Sequence, residues 1–268
     1  MIENGFDQQT ITEAIHTKWA GKTVHFAKET DSTNEWGKRL GREGEVHGAL
    51  AVAEFQNAGK GRLGRRWTAP KGSSVMMSLL LRSEFEPQYA PMLTVVMGLS
   101  VAQAIREAGV DTCIKWPNDV VASRKKICGI LTEMSVEEGR IRYVVIGVGI
   151  NVNLESLPEE LSDKATSLYL ETGKIFDRNR ILAGVMEAFE NNYEKFTKTC
   201  DLSLLKEEYN RMLANLGQPV RILDPLKPFE GIARGINEKG ELLVEMEDGR
   251  ETAVSAGEVS VRGLYSYV

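Results

Sequence analysis

Apolar residues follow strand-like and helical periods along most of the chain. Four segments are rich in β-branched or large apolar residues and are bounded by glycine or charged residues, which is typical of strands. These segments are residues 49–55, 74–81, 127–134 and 142–150. Val95, Leu99 and Ile105 recur at helical spacing. The segment 178–198 shows the same helical period over a longer stretch. The pattern predicts an α+β fold in which helices cover a mixed sheet.

The pattern changes near Leu216. After this residue, short strand-like segments follow each other and are separated by turns such as Asp248-Gly249. They are residues 220–223, 231–236, 242–247 and 252–254. We therefore expect two domains, a larger one over residues 1–216 and a small all-β domain over residues 217–268.

Composition and charge exclude several classes of protein. Three widely spaced cysteines argue against a disulfide framework and favour a reducing compartment, so we expect a cytoplasmic protein. The net charge of −5 argues against a broad surface for duplex nucleic acid, although one local basic loop remains compatible with it. No apolar run reaches the roughly 18 residues that span a bilayer, and residues 1–20 lack the pattern of a signal peptide. We expect no membrane association.

Residues 59–67 form the strongest local motif, with three glycines and four cationic side chains in nine residues. Glycine lets the backbone approach a ligand, and lysine or arginine neutralises phosphate oxygens, so the motif indicates phosphate handling. It is not a Walker A loop, because Arg65 and Arg66 stand where a lysine followed by serine or threonine is needed. A solvated basic loop or a nucleic-acid contact remains an alternative for this motif alone.

Residues 115–119 read Lys-Trp-Pro-Asn-Asp and predict a turn. A turn explains the proline and Asn118 but not the preceding lysine and tryptophan. A site for a metal and a nucleotide would use Lys115 on a phosphate and Asp119 or Asn118 on Mg²⁺.

Lys126 stands at the start of an apolar strand in which Cys128 is expected to be a small core residue. A lysine at this place can orient a carboxylate and stabilise the charge that builds as it attacks phosphorus. Gly129 inside the strand indicates either a bulge or the close approach of a ligand.

Two further motifs each allow two interpretations. Residues 31–35, Asp-Ser-Thr-Asn-Glu, predict a capping box with Ser32 as the N-cap and Glu35 three residues later. The same hydroxyl and amide groups would also suit a polar head group such as a cyclic urea. Asn151 ends the run Gly147-Val-Gly-Ile-Asn, which lacks the third glycine of a dinucleotide site. Its side chain either forms a bond at the strand end or contacts a base edge.

Five segments, taken in order, closely resemble the biotin protein ligases. They are residues 31–34, Gln56 with 59–67, 115–119, 126–131 and 147–151. The resemblance covers residues 25–153 by motif, whereas 154–217 match only in helical character. It implies a class II synthetase-like sheet domain and an SH3-like β-barrel at the C-terminus.

The resemblance implies an ATP-dependent ligase with Mg²⁺ as cofactor and biotin as substrate. The biotin carboxylate would attack the α-phosphate of ATP to give biotinyl-AMP and pyrophosphate. A lysine of a biotin carboxyl carrier domain would then attack the activated carbonyl. The segment 59–67 would close over the adenylate and exclude water.

The resemblance also implies roles for individual residues. Biotin would contact Ser32, Thr33, Asn34, Gln56, Lys60, Gly61, Arg62, Lys126 and Gly129. ATP or the adenylate would contact Arg62, Arg65, Trp67, Lys115, Asn118, Lys126 and Asn151. The catalytic residues would be Lys126, Arg62, Lys115 and Asp119, and Asp119 would also bind Mg²⁺.

Two departures from the family pattern limit what the resemblance implies. Lys60 stands where many relatives carry arginine, which keeps the charge but loses the bidentate fork. Only about two dozen residues precede the matching region, so we expect no N-terminal winged helix, no DNA binding and no repressor role. A lipoate or octanoate ligase is the alternative enzyme, and a nucleic-acid-binding module is the non-enzymatic alternative. A homodimer formed by pairing of strand edges is compatible with such a sheet.

Overall fold

The computed structural model describes residues 5–224, 227–256, 260–263 and 268, and within them the chain forms two sheets. The larger sheet consists of β1 (Val24–Ala27), β2 (Leu50–Ala53), β3 (Ser74–Leu81), β4 (Cys113–Lys115), β5 (Asp119–Ala122), β6 (Lys125–Glu137) and β7 (Arg140–Asn151). Its spatial order is β1-β2-β3-β7-β6-β5-β4. Strands β1 and β2 pair in parallel and the other neighbours pair antiparallel, so the predicted mixed sheet is confirmed.

Helices cover both faces of this sheet. They are α1 (Gln8–Ala14), α2 (Thr33–Glu43), α3 (Met92–Glu107), α4 (Leu168–Thr172), α5 (Arg178–Thr199) and α6 (Lys206–Met212). Helices α3 and α5 were both predicted from their apolar period and pack against each other in the main core. In the described residues, Pro87–Glu107 is long and apolar enough to cross a membrane, but 72% of its most apolar window is buried inside the protein. Such burial is typical of a core helix.

Strand alternation gives the two faces of the larger sheet different partners. Met77 of β3 and Ile146 of β7 face the main core with α3 and α5. On the opposite face, Val145 packs in a smaller core under α2. The glycines of α2 permit this close packing, because a Cβ added at Gly41 would lie 2.7 Å from the Tyr143 ring. Helix α2 covers only part of its face, and the uncovered part holds the candidate site.

The second sheet consists of β8 (Pro219–Leu223), β9 (Phe229–Ile236), β10 (Leu242–Glu245), β11 (Glu251–Val254) and β12 (Ser260–Gly263). All of its pairs are antiparallel, in the order β11-β10-β9-β8-β12. The four predicted segments of the tail correspond to β8–β11. The predicted domain 217–268 includes residues 225–226, 257–259 and 264–267, which lie outside the described part of the chain.

The two sheets share one contiguous core. Val220 and Leu242 of the second sheet belong to the same cluster as the core of the larger sheet. Trp116, which is 1% exposed, donates an indole hydrogen bond of 2.9 Å to the carbonyl of Gly240. The predicted division between residues 216 and 217 stays a prediction, because the packing here is continuous.

Candidate active site

A polar cavity of about 50 Å³ lies over the uncovered part of the larger sheet. Its floor is a glycine trough formed by Gly129, Gly147 and Gly149, which lie side by side on β6 and β7. A Cβ at Gly149 would lie 2.5 Å from the Trp67 indole, and one at Gly147 would overlap the Asn34 amide. The trough therefore exists because these positions lack side chains, and close approach explains Gly129 as well.

The start of α2 forms one wall of the polar cavity. Gln56 accepts hydrogen bonds at its Oε1 from the Thr33 backbone N–H at 2.6 Å and hydroxyl at 3.1 Å. The Nε2 donor of Gln56 consequently points away from Thr33. The Asn34 amide nitrogen donates to the Leu131 carbonyl at 3.1 Å and to Glu133 at 2.9 Å.

The predicted capping box is wrong, although Ser32 is the N-cap of α2. Its side chain makes no capping bond, and the Glu35 side chain contacts Lys38 and Lys60 instead of the N-cap backbone. The two lysines compete successfully for Glu35 because charge-assisted hydrogen bonds are stronger than neutral ones. The Ser32 side chain lines the polar cavity.

The cationic loop, residues 59–67, folds back on itself at the mouth of this cavity. Trp67 N–H donates to the Gly59 carbonyl at 3.0 Å, and Gly61 N–H donates to the Arg65 carbonyl at 2.8 Å. Arg62 reaches out of the loop and donates to the Asn118 amide oxygen at 2.8 Å. The pKa of Arg62 is lowered, because the effect of burial outweighs the opposite effect of the nearby Asp119.

A cationic cavity of about 120 Å³ adjoins the polar cavity. Its charged lining residues are Arg62, Arg65, Arg66, Lys115, Lys126 and Asp119. Lys126 and Asp119 form an ion pair at 2.6 Å, and the Lys126 ammonium lies 5.7 Å from the centre of the Trp67 ring. Five cations against one carboxylate make this cavity suited to phosphate groups.

The structure brings most of the predicted site residues together. The polar cavity is lined by Ser32, Thr33, Asn34, Gln56, Lys60, Gly61, Arg62, Trp67, Asn118, Lys126 and Gly129. The cationic cavity adds Arg65, Lys115 and Asp119. Asn151 lines neither cavity; it is buried, and its amide donates to the Thr166 carbonyl at 3.0 Å. The strand-end interpretation of Asn151 therefore describes an observed bond, and its contact with a base stays a prediction.

Cys128 is fully buried on the core face of β6, as predicted. Burial raises the pKa of its thiol, which keeps the group protonated and unreactive.

Two residues that support the polar cavity were missed in the sequence. Ser78 is fully buried and donates to the Asn34 Oδ1 at 2.7 Å. The signal that could have identified it is a lone serine in the middle of an otherwise apolar run on β3. Glu133 reads as an ordinary surface position of a strand, because its partner Asn34 is 99 residues away.

Family models match both sheets. The model of the Biotin/lipoate A/B protein ligase family matches residues 26–151, and that of the Biotin protein ligase C terminal domain matches residues 216–262. The larger sheet therefore matches the biotin and lipoate ligase class, and the second sheet matches the C-terminal domain of biotin protein ligases.

Similar proteins show to which family within this class the chain belongs. The bifunctional ligase/repressor BirA of Bacillus spizizenii is 36% identical over 252 residues, which cover 93% of this chain and 77% of that protein. The biotin–[acetyl-CoA-carboxylase] ligase of Mycobacterium tuberculosis is 35% identical over 262 residues, 94% of each chain. The structure of a biotin protein ligase from Aquifex aeolicus in complex with biotin and ATP has a TM-score of 0.78 at 34% identity and covers 90% of this chain and 99% of that one. This chain belongs to the biotin protein ligase family, and it is an enzyme. A lipoate ligase is not favoured, and a purely nucleic-acid-binding module is set aside.

Proposed function

We propose that this protein activates biotin with ATP and transfers it to a lysine of a biotin carboxyl carrier domain. One observation carries the proposal. Lys126 and Arg62 line both the polar and the cationic cavity. A carboxylate that enters from the polar cavity and an α-phosphate that enters from the cationic cavity would therefore meet between these two cations.

The polar cavity is the site that we assign to biotin. The ureido ring offers one carbonyl acceptor and two N–H donors, so it needs both kinds of partner. Ser32, Thr33 and the Nε2 of Gln56 supply hydroxyl and amide groups at one end of the glycine trough. The aliphatic chain of biotin would lie along the trough toward Lys126.

The first step joins the carboxylate to the nucleotide. A carboxylate oxygen of biotin attacks the α-phosphorus, the bond between the α- and β-phosphates breaks, and pyrophosphate leaves. Lys126 reduces the repulsion between the two anions and stabilises the charge that develops on the α-phosphate. Arg62 can do the same, because it lines both cavities and its guanidinium is anchored by Asn118.

The second step transfers the acyl group. The amine of the acceptor lysine attacks the acyl carbonyl, AMP leaves, and the nitrogen loses a proton. A groove of about 690 Å³ opens beside Arg62 and Asn118 and is also lined by residues 239–241 and 255–256, which connect strands of the second sheet. Its volume and its position next to the reacting centre support it as the route of the acceptor lysine.

Asp119 is the residue that we assign to Mg²⁺. Magnesium sites commonly use one or two carboxylates together with substrate phosphates. Asp119 is the one carboxylate that lines the cationic cavity, so it matches this pattern. No group of three or more His, Cys, Asp or Glu side chains in the described ranges can hold a metal by itself. When bound, the ion neutralises charge on the phosphate oxygens.

We also propose that the protein acts in the cytoplasm, while strand-edge pairing into a homodimer stays a prediction.

The experiment that tests this function combines purified protein with ATP, Mg²⁺ and biotin, and it measures pyrophosphate release and then transfer to a carrier domain. Lys126→Ala should slow pyrophosphate release about 100-fold or more, because it removes a preorganised charge at the reacting centre. Lys125→Ala is the matched control, since its ammonium bonds the Ser162 carbonyl outside the site. Release by Lys126→Ala at the wild-type rate would contradict the assignment, and turnover of lipoate in place of biotin would contradict the substrate.

A further inference from the structure

Four charged side chains connect the cationic loop to Asn34 in the wall of the polar cavity. This ion-pair chain consists of Lys60, Glu35, Lys38 and Glu133. Glu35 Oε1 contacts Lys60 at 2.5 Å and Lys38 at 2.8 Å. Lys38 also contacts Glu133 Oε1 at 2.9 Å. The other Glu133 oxygen accepts from the Asn34 amide.

The ion-pair chain is partly shielded from water. The side chains of Lys38, Glu35 and Glu133 are 21%, 26% and 31% exposed, so water screens the contacts among them less than it would fully exposed pairs, whereas the Lys60 side chain is 51% exposed. Hydrogen bonds from Lys38 and Lys60 lower the pKa of Glu35. Burial lowers the pKa of Lys38, but its bonds to Glu35 and Glu133 outweigh this and raise it. Glu35 and Lys38 are therefore both charged at neutral pH.

Asn34 has one preferred orientation because of these contacts. Its amide nitrogen points at two acceptors, the Leu131 carbonyl and Glu133, while its oxygen accepts from Ser78. A flipped amide would place its oxygen against both acceptors.

The orientation of the Asn34 amide constrains the hydrogen bonds of the neighbouring Ser78 and Thr33 hydroxyl groups. The Ser78 hydroxyl has one proton, and it lies 2.7 Å from Asn34 Oδ1 and 2.8 Å from Thr33 Oγ1. Once Ser78 donates to Asn34, the Thr33 hydroxyl must donate to Ser78 or to Gln56. The Leu131 carbonyl and the Glu133 carboxylate together therefore orient the Asn34 amide, and this orientation limits the directions of the neighbouring hydroxyl bonds.

We propose that Glu133 and Glu35 are positioning residues of the ligase reaction. Glu133 fixes the Asn34 amide and thereby the donors and acceptors offered to the ureido ring. Glu35 holds the cationic loop against α2 through Lys60. This inference rests on the proposed function, and neither carboxylate touches the reacting atoms.

Glu133→Ala should weaken the binding of biotin alone about tenfold, because the pocket loses one charge-assisted hydrogen bond that orders it. Glu133→Gln keeps an oxygen that can accept from Asn34, so its affinity should stay within about threefold of wild type. Calorimetry with biotin measures both. Glu245→Gln is the control, since it breaks an exposed ion pair with Arg234 on the second sheet.

A double-mutant cycle separates positioning from a general loss of structure. Ser78→Ala removes the other anchor of the Asn34 amide, so it should weaken biotin binding by a similar factor. The double variant Glu133→Ala/Ser78→Ala should lose less affinity than the product of the single losses, because both act through Asn34. Multiplicative losses would overturn the inference, and Ser78→Ala keeps it testable if Glu133→Ala does not fold.

Glu35→Gln should act on the loop rather than on the pocket. Affinity for biotin should stay within about twofold of wild type, whereas preformed biotinyl-AMP should dissociate about fivefold faster, because Lys60 loses its ion pair. Unchanged dissociation of the adenylate would overturn the role of Glu35. If the wild-type protein neither binds biotin nor releases pyrophosphate, the proposed function is wrong. If the wild-type protein does both and the Glu133 and Glu35 variants behave in the same way, only the positioning roles are wrong.

Discussion

Glycine at positions 129, 147 and 149 creates space that no other residue would leave. Each of these residues pairs or neighbours another on adjacent strands, so the missing side chains add up to one trough. Conformational freedom plays no part in this role, because none of the three has a positive φ. Their contribution is the absence of a Cβ under Trp67 and Asn34.

Gly149→Ala should displace the Trp67 indole and weaken the binding of biotinyl-AMP about tenfold or more, because overpacked contacts force neighbouring groups to shift. Calorimetry with a non-hydrolysable adenylate analogue measures the loss. Gly184→Ala on α5 is the control, since its added Cβ would meet ordinary contact at 3.5 Å. Equal affinity of the Gly149 variant and wild type would show that the ring does not depend on the trough.

At this scale, the sequence predicts residue types better than partners. The polar motif 31–34 and Lys126 were singled out because polar groups at a helix start or a strand end are easy to recognise. Ser78 was hidden in an apolar strand, and Glu133 was hidden because its partner Asn34 is distant in the chain. Such pairings depend on register across β3, β7 and β6, which no local pattern contains.

Whole elements are joined by a few directed contacts, of which Glu190 on α5 is an example. Its carboxylate accepts backbone hydrogen bonds from Lys18, Trp19 and Ala20 at 2.7–3.0 Å. Burial raises the pKa of Glu190, but the three bonds outweigh this and lower it below the ordinary value. The segment before β1 is therefore tied to α5 by an anion.

Glu190→Gln should lower the free energy of unfolding at pH 7 by about 2 kcal/mol, because bonds to a charged acceptor are stronger than bonds to a neutral one. A carboxyl with a lowered folded pKa contributes stability above its unfolded pKa and loses it as the pH falls through the folded pKa. The gap between wild type and variant should therefore shrink below about pH 4. Urea unfolding at pH 7 and pH 3 measures it, with the exposed Glu187→Gln as control. A gap that does not change with pH would contradict the role of the charge.

The limits of two long elements were predicted closely and three short strands were missed, although the equally short β2, β10 and β11 were predicted. Strand β3 and helix α5 have enough residues to display a period, and their predicted limits agree with the structure to within a residue. Strands β1 and β5 have four residues each, and β4 has three, too few for a period to show. These short strands form through their neighbours in the sheet.

The protein as a whole is held together where the second sheet meets the turn 115–119. Trp116 donates to the Gly240 carbonyl, and Arg62 donates to the Ala256 carbonyl at 2.7 Å. Both acceptors belong to turns of the second sheet, and both donors lie next to Asn118. The second sheet therefore helps to hold Arg62 and the turn 115–119 in place at the reacting centre.

Trp116→Phe should lower the free energy of unfolding by about 1–3 kcal/mol, because the Gly240 carbonyl loses its buried donor while the aromatic bulk is kept. It should also reduce kcat for pyrophosphate release more than it raises the KM for biotin, because Trp116 lines the cationic cavity and not the polar cavity. Trp36→Phe on α2 is the control. A variant as stable and active as wild type would contradict a structural link between the sheets.

The unequal coverage of the two sheet faces has a consequence for how such an enzyme can change. Beside the glycine trough, the side chains of the main core point toward α3 and α5, whereas the positions that face the polar cavity lie on the other face of the same strands. Alternate positions of β6 and β7 therefore serve either the core or the ligand site. Substitutions at the positions that face the ligand need not disturb the positions that face the core. A combinatorial library restricted to the start of α2 would sample new small-molecule preferences while the glycine trough and the main core stay unchanged.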